Sequence, residues 1–193
     1  MPPHPIHVAA ERGDLAEVQR LIIEDPALLE LRDALWRRPP LLIAADESHA
    51  EMLEWLLHQG ADREAQAHGE CDALWLASQH GHTAIVSVLL GRGFDVNRRD
   101  ILGWTPLMAA ACEGHVAAVE VLLSRKEIGI DRQNADGKTA LYWASNEDEL
   151  EVLSLLVQAG ADPRIADNVG ETPLDVAIDR GHDECIPLLE VSK

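Results

Sequence analysis

The sequence predicts an all-α solenoid of stacked helix-turn-helix units that are joined by β-turn fingers. Three observations predict it: a repeat period of about 33 residues, two short helical patterns within each period, and a core rich in alanine, leucine and valine. The stretch Asp100–Leu123 is the clearest copy of the unit. Neither of its helices can bury its apolar face within so small a piece, so the units must stack on one another.

Each helix of this unit has a sequence signal for its beginning or its end. Thr105 can cap a helix N-terminus, and Pro106 suits the first helical position, where its missing N–H is not needed. Gly114 provides the left-handed residue that ends the first helix. Residues 116–123 then carry apolar side chains three and four positions apart, which predicts a second amphipathic helix.

The same pattern recurs along the whole chain. Each period contains a leucine or isoleucine anchor, with an alanine three positions later, usually a glycine seven later and usually a histidine eight later. The anchors are Ile6, Leu41, Leu74, Leu107, Leu141 and Leu174. Subtracting successive anchor numbers gives intervals of 35, 33, 33, 34 and 33 residues. The regular spacing predicts six structural repeats.

Four short motifs connect this pattern to a known family. They are Thr105-Pro106-Leu107, Thr172-Pro173-Leu174, Gly60-Ala61-Asp62 and Gly160-Ala161-Asp162. With these motifs and its six registered periods, the chain resembles the ankyrin repeat family over nearly its full length. The resemblance implies a single domain over residues 1–193 with repeats at about 4–25, 35–65, 68–98, 101–131, 135–164 and 168–191, of which the first and last act as caps.

Three places depart from the regular pattern. Asp25-Pro26 breaks the second helix of the first repeat, and residues 27–36 form a longer connection. Arg37 stands where a turn glycine is usual, so we expect this fingertip to differ from the others. Asp148 replaces the left-handed glycine of the fifth repeat, which predicts a locally looser repeat there.

Composition and charge restrict the function. A net charge of −18 opposes binding to nucleic acid or anionic lipid and favours a partner with a basic or apolar contact segment. No apolar run is long enough to span a bilayer. The three cysteines are an odd number without metal-site spacing, which favours free thiols in a reducing compartment. We expect a cytoplasmic monomer, with the nucleus as the alternative location.

No catalytic constellation is recognisable, so we expect a non-enzymatic protein without a cofactor. His80-Gly81-His82 could suggest a metal pair, but in the ankyrin family His82 belongs to a series that serves structurally between helices. Gly91-Arg92-Gly93 lacks the further glycine and the strand of a dinucleotide loop. A weaker alternative is metal or small-molecule binding by His68, His80 and Cys112.

The family resemblance places partner contacts on a concave face. In ankyrin repeats these contacts come from the fingertips and from the end of each first helix. Carried onto this sequence, the positions that would bind a partner are Leu35, Trp36, Arg38, Asp46, Glu47, His68, Trp75, Gln79, His80, Ile101, Leu102, Trp104, Cys112, Glu113, Lys138, Asn146 and Glu147. Asp46, Glu47, Glu113 and Glu147 would steer a basic partner.

Tryptophans single out two fingers as anchoring points. Trp36 and Trp104 are large apolar groups at positions that are usually polar, and aromatic groups often dominate binding energy. Two repeat steps would separate them by roughly 20 Å, within reach of one extended peptide or helix. Alternatively, each packs locally beside its own finger. Trp55 and Trp143 fall on predicted core positions, and Trp75 borders the groove.

The sequence therefore predicts a protein-interaction module that binds a partner protein or peptide through its concave face. An alternative is a targeting or regulatory subunit of an enzyme encoded elsewhere. One further resemblance concerns Asn97, because Leu89 and Asp95-Val96-Asn97 are similar to the site that asparaginyl hydroxylases modify in ankyrin repeats. A purely structural role of Asn97 in the turn is the alternative.

Overall fold

The computed structural model describes residues 3–190 and contains six pairs of antiparallel α-helices. The first helices of the pairs are α1 (Pro5–Glu11), α3 (Pro40–Asp46), α5 (Ala73–Gln79), α7 (Pro106–Cys112), α9 (Ala140–Asn146) and α11 (Pro173–Arg180). The second helices are α2 (Leu15–Glu24), α4 (Ala50–His58), α6 (Thr83–Gly91), α8 (Val116–Leu123), α10 (Leu150–Gln158) and α12 (Ile186–Glu190). No β-strand occurs within residues 3–190. The predicted limits at residues 1, 191 and 193 fall outside this range.

The helices begin where the sequence signals place them. Thr105 Oγ1 accepts a hydrogen bond from the Met108 backbone N–H at 3.3 Å, and Pro106 is the first residue of α7. Asp72 caps α5 in the same way, with its carboxylate accepting from the Trp75 N–H at 2.8 Å. These caps satisfy backbone donors that a seven-residue helix cannot satisfy internally.

The helices form two layers. First helices contact the first helices of neighbouring repeats, as in the pairs α3 with α5, α5 with α7 and α7 with α9. Second helices likewise contact their neighbours, as in α6 with α8. Five of the six anchors are buried, and the alanine three positions after every anchor is buried too. These small side chains allow the first helices to approach closely, so the stack forms one continuous core.

Histidines at the start of the second helices connect successive repeats. The His82 ring lies 2.8 Å from the Asp46 carbonyl oxygen, and the His115 ring lies 2.9 Å from the Gln79 carbonyl oxygen. Each bond satisfies a carbonyl group at the end of the preceding first helix. The structural role predicted for the histidine series is therefore confirmed, and His82 is engaged in the stack.

The fingers are also connected to one another through their backbones. The Asp100 N–H donates to the Trp104 carbonyl oxygen at 3.0 Å and closes one finger. The Ile101 N–H donates to the Gly69 carbonyl oxygen of the preceding finger at 2.8 Å, and the Ala135 N–H donates to the Leu102 carbonyl oxygen at 2.9 Å. This ladder holds the fingers side by side, so their tips form a continuous edge.

The first connection begins where the sequence predicts, because α2 ends at Glu24, just before Asp25-Pro26. Residues 26–30 form a 3-10 helix, Pro26–Glu30, whose start is capped by the Asp25 side chain. Arg37 has φ +58°, which is the left-handed region that Gly103 adopts in its own finger. The fingertip nevertheless differs, as expected, because it contains one more residue: the Asp33 N–H donates to the Arg38 carbonyl oxygen five positions later, whereas Asp100 and Trp104 of the fourth repeat are four positions apart. Asp148, at φ +62°, also takes the left-handed conformation of the glycine that it replaces.

Candidate partner-binding groove

Two adjoining pockets lie between the fingers and the first helices of the second to fourth repeats. The first, pocket A, has a volume of about 380 Å³ and is lined by Trp36, Arg38, Asp46, Ala67, His68, Cys71, Trp75, Leu76, Gln79 and His80. The second, pocket B, has a volume of about 250 Å³ and is lined by Trp75, Gln79, Asp100, Leu102, Trp104, Ala109, Cys112 and Glu113. Trp75 and Gln79 of α5 form part of both walls. We call the two pockets together the groove.

The groove brings together most of the residues that the sequence predicted as partner contacts. The predicted contacts that do not line it are Leu35, Glu47, Ile101, Lys138, Asn146 and Glu147. Of these, Leu35 and Ile101 are 74% and 64% exposed beside the groove on their fingertips. Asn146 is buried, and its side-chain amide donates to Glu147 at 2.6 Å, so it is less accessible than the prediction requires.

The two tryptophan fingers differ in their surroundings. Trp36 is 52% exposed and forms one end of pocket A. Trp104 is half-buried, because its ring stacks on that of Trp143 with the centroids 4.5 Å apart. Trp104 also lines pocket B, together with Leu102. The Leu102 side chain is 58% exposed. The local-packing alternative thus describes part of Trp104 but not Trp36.

Trp143, which the sequence predicted at a core position, is half-buried and packs against the core. On α9 it contacts the Trp104 ring, and the ammonium group of Lys138 lies 5.1 Å from the centre of the Trp143 ring. The same ammonium lies 4.6 Å from the centre of the Tyr142 ring. Lys138 therefore makes cation–π contacts with both rings within the fifth repeat.

An ionic cluster occupies the end of the groove in the second repeat. Arg38 donates to Asp33 at 2.9 Å and also to Asp46, and its side chain is only 11% exposed. The His80 ring lies 3.0 Å from the Asp46 carboxylate. Burial raises the pKa of Asp33, but the Arg38 guanidinium and the backbone N–H donors outweigh this effect and lower it overall. Arg38 and Asp46 thus neutralise one another. Their predicted roles as partner contacts require side chains that are free to bind a partner.

The central part of the groove has a negative electrostatic environment. Burial raises the pKa of the Cys71 thiol to about 12, and the neighbouring Asp100, Asp72 and Asp46 carboxylates act in the same direction. Burial likewise raises the pKa of Cys112 to about 11, with Glu147, Glu113 and Glu149 adding to the shift. Both thiols therefore stay protonated at neutral pH and are unsuited to nucleophilic chemistry.

Metal binding gains no geometric support. Within residues 3–190, no group of three His, Cys, Asp or Glu side chains is arranged to hold a metal ion. His68 and His80 line pocket A, whereas Cys112 lines pocket B. The three residues named for this alternative are therefore divided between two pockets.

Asn97 lies outside the groove and ties two loops together. Its side chain donates to the Glu127 carbonyl oxygen at 2.7 Å and accepts from the Gly129 N–H at 2.7 Å. The Asp95 carboxylate accepts from the Asn97 N–H at 2.9 Å. These bonds provide the structural role that the sequence offered as an alternative, and hydroxylation of Asn97 stays a prediction.

Sequence reasoning missed three features of the finger side of the molecule. Asp100 lines pocket B although it lies one residue before the predicted fingertip positions. Trp143 packs against Trp104 of the pocket B wall, and Val169, on the finger of the sixth repeat, is 80% exposed. Val169 could have been found from its register, because it occupies the same repeat position as Trp36 and Leu102, five residues before the anchor.

The repeats of this chain match a known family profile. A family profile described as "Ankyrin repeats (3 copies)" matches residues 6–100, 41–134, 74–167 and 126–191. The chain belongs to the ankyrin repeat family. Ankyrin repeats are generally protein–protein interaction modules, and members of the family are typically non-enzymatic.

Curated relatives share the repeats over short stretches. The chain is 34% identical over 61 residues, 32% of its length, to the nuclear factor NF-kappa-B p110 subunit of Drosophila melanogaster, and 35% identical over 66 residues, 34% of its length, to alpha-latrotoxin-Lt1a of Latrodectus tredecimguttatus. It is also 37% identical over 62 residues, 32% of its length, to a putative ankyrin repeat protein of Rickettsia bellii. These matches span only 6%, 5% and 34% of the lengths of the three relatives.

The ankyrin stack offers no membrane-spanning element in its described part. Within residues 3–190, no helix combines the length and apolar character needed to cross a bilayer.

Proposed function

We propose that this chain is a non-enzymatic ankyrin module that binds a partner protein through the groove. The observation that carries the proposal is the row of pockets A and B, bounded by the exposed fingers Leu35-Trp36 and Ile101-Leu102. Large apolar groups of this kind anchor protein interfaces when a partner covers them. The cytoplasm or the nucleus is the proposed location, and a monomer the proposed state.

The chemistry of the groove favours an extended partner segment with basic and apolar side chains. The apolar fingers would bind apolar side chains, and the carboxylates of Asp100 and Glu113 would attract a basic one. The net charge of −18 would accelerate the encounter with a basic segment and repel acidic chains.

Affinity capture with matched variants tests this proposal. The immobilised chain would be exposed to extract of the source cells, and bound proteins would be quantified for wild type, Trp36→Ala and Leu102→Ala. Ile23→Ala is the control, because Ile23 is 76% exposed on α2, the second helix of the first repeat. We expect one or more partners to be reduced by roughly tenfold with either groove variant and to be unchanged with the control.

Trp104→Ala belongs in the same series, with Trp55→Ala as its counterpart on α4. Both rings are half-buried, so unfolding curves would correct for lost stability. After that correction, Trp104→Ala should weaken capture more than Trp55→Ala. Equal losses for the groove and control variants would contradict the proposed surface.

A further inference from the structure

One repeat position supplies cationic side chains beside the groove. The residue three positions before the anchor is Arg38 in the second repeat and Lys138 in the fifth. In both repeats this cation is engaged by neighbouring side chains, with carboxylates around Arg38 and aromatic rings around Lys138. In the third and fourth repeats the same position holds Cys71 and Trp104. The middle of the groove therefore has no cation from this register.

Pocket B lies in that middle region and carries unbalanced negative charge. Asp100 and Glu113 line it, and none of its lining residues is basic. Burial raises the pKa of Asp100, and the nearby Glu70 carboxylate raises it further, although backbone N–H donors act in the opposite direction. A cation placed beside Asp100 would lower that pKa and stabilise the carboxylate.

The turn that contains Asp100 does not require a charge. Asp100 Oδ1 accepts from the Leu102 N–H at 2.9 Å and from the Trp104 N–H at 2.7 Å. In the fifth repeat, Asn134 accepts the two equivalent backbone bonds at 3.0 and 2.9 Å through a neutral amide oxygen. The negative charge of Asp100 is thus free to serve binding.

The second repeat shows which cation such a turn carboxylate accommodates. Asp33 occupies the equivalent turn there, and it accepts from the Trp36 N–H as well as from the guanidinium of Arg38. That guanidinium also reaches Asp46 at the end of α3. In pocket B, Asp100 is the turn acceptor that matches Asp33, although it lies seven residues before its anchor and Asp33 lies eight before its own. Glu113 lies one residue beyond the counterpart of Asp46. The fold therefore contains an internal example of a guanidinium placed between a finger-turn carboxylate and a carboxylate at the end of the first helix.

From this comparison we infer that pocket B binds an arginine side chain of the partner segment, with Asp100 and Glu113 facing the guanidinium and Trp75 and Trp104 providing aromatic walls. The inference rests on the proposed function, whose partner it makes more specific. A planar guanidinium can stack on an indole ring while it donates to carboxylates, which a compact ammonium does less well. Trp75 also carries a buried Nε1–H without a hydrogen-bond partner within residues 3–190, so its indole ring is held by packing alone.

A peptide titration of the full chain tests the inference. The probe is a five-residue peptide with one central arginine between alanines, blocked at both ends, and its neutral counterpart contains citrulline instead. Nuclear magnetic resonance would follow the tryptophan indole N–H signals. We expect the arginine peptide to shift the Trp75 and Trp104 signals saturably and the Trp55 signal not at all, with citrulline binding roughly five- to tenfold more weakly.

Asp100→Asn is the decisive variant, because Asn134 shows that the turn tolerates asparagine. Asp167→Asn is its matched control, since Asp167 accepts the same two backbone bonds in the finger of the sixth repeat, outside the groove. We expect Asp100→Asn to weaken the arginine peptide by roughly five- to tenfold, and Asp167→Asn to leave its affinity within about twofold of wild type.

Several results would overturn the inference. They are no response at millimolar peptide, equal binding of citrulline, equal loss in the two asparagine variants, or a lysine peptide that binds as tightly as the arginine peptide. If the peptide fails while Trp36→Ala and Leu102→Ala still reduce partner capture, the arginine pocket is refuted and the proposed function stands. If capture does not depend on those two residues, the proposed function itself fails.

Discussion

The inner stack and the fingers obey different constraints. In the stack, anchors and alanines recur in every repeat, and five of the six anchors and all six alanines are buried. His82 and His115 bond to the preceding repeat. The fingers keep a common backbone ladder, yet their tips range from Trp36 to Asp136. Stacking thus restricts the side chains of the helices and leaves those of the fingertips free to vary. The features of a specific partner site are therefore concentrated on the fingers and the helix ends beside them.

The largest effect on stability is expected when a buried side chain of the stack is shortened. Leu89 of α6 has 0% exposure, so Leu89→Ala removes buried contacts and leaves a cavity. We expect a loss of about 2–5 kcal/mol in the free energy of unfolding, measured by urea denaturation. Leu102→Ala on the finger should change it by less than about 0.5 kcal/mol. Similar losses for both variants would remove the distinction between stack and finger.

The next largest effect on stability is expected at Gly81, and Gly60 provides the comparison. A Cβ atom at Gly81 would lie 2.6 Å from the His115 ring, whereas one at Gly60 meets nothing within 4 Å. Both glycines have positive φ, so each alanine adds backbone strain of about 1–2 kcal/mol. Gly81→Ala should cost roughly 1–2 kcal/mol more than Gly60→Ala, because it also displaces the histidine connection to the next repeat. Equal costs in thermal or urea unfolding would show that this connection contributes nothing.

The fold followed from the sequence because its determinants are periodic. A residue that recurs every 33 to 35 positions meets the same surroundings in each repeat, so Leu74 and Ala77 predict the burial of Leu107 and Ala110. The stack of Trp104 on Trp143 could not be predicted in this way. It joins different repeat positions on neighbouring repeats, and no other pair of neighbouring repeats has aromatic residues at these two positions.

The ionic cluster escaped prediction for a similar reason. Arg38, Asp46 and His80 were each predicted as separate partner contacts, but the fold brings Arg38 and His80 to the same carboxylate. Distances between side chains of adjacent repeats depend on rotamers that one sequence does not specify. The same holds for the 3-10 helix Pro26–Glu30, which lies in the one connection without a counterpart elsewhere in the chain.

A smaller, stabilising effect is expected in the turns that lack glycine. Ser48 has φ +64° at the position where four of the other repeats have glycine. Ser48→Gly should relieve left-handed strain and raise the free energy of unfolding by about 0.5–1 kcal/mol. Asp148→Gly tests the fifth repeat in the same way. It should gain less, because the Asp148 carboxylate also accepts from the Cys185 thiol at 3.5 Å. A decrease in stability for Ser48→Gly, measured by urea denaturation, would contradict this account of turn strain.

The pH dependence of stability provides a further, smaller test within the stack. Burial raises the pKa of Asp72, and this outweighs the backbone bond from Trp75 and the nearby Arg98 charge. The folded state therefore keeps the Asp72 proton to higher pH than the unfolded state. This contribution is fully present below the unfolded pKa and is lost as pH rises through the raised pKa.

Asp72→Asn removes the cost of burying a charged carboxylate above the Asp72 pKa, and it retains a side chain that can cap α5. We expect the variant to gain stability over wild type as the pH of urea denaturation rises from about 4 to about 8. A constant difference between the two proteins over this range would show that Asp72 does not titrate as described.

Hydrogen–deuterium exchange with and without the captured partner tests the central claim most directly. The claim is that the fingers and the first-helix ends bind, while the second helices only support the stack. The account predicts that the partner slows exchange in residues 33–38, 67–71 and 100–104 and leaves α4 and α6 unchanged. Protection confined to α4 and α6, with unchanged exchange in the three fingers, would contradict it.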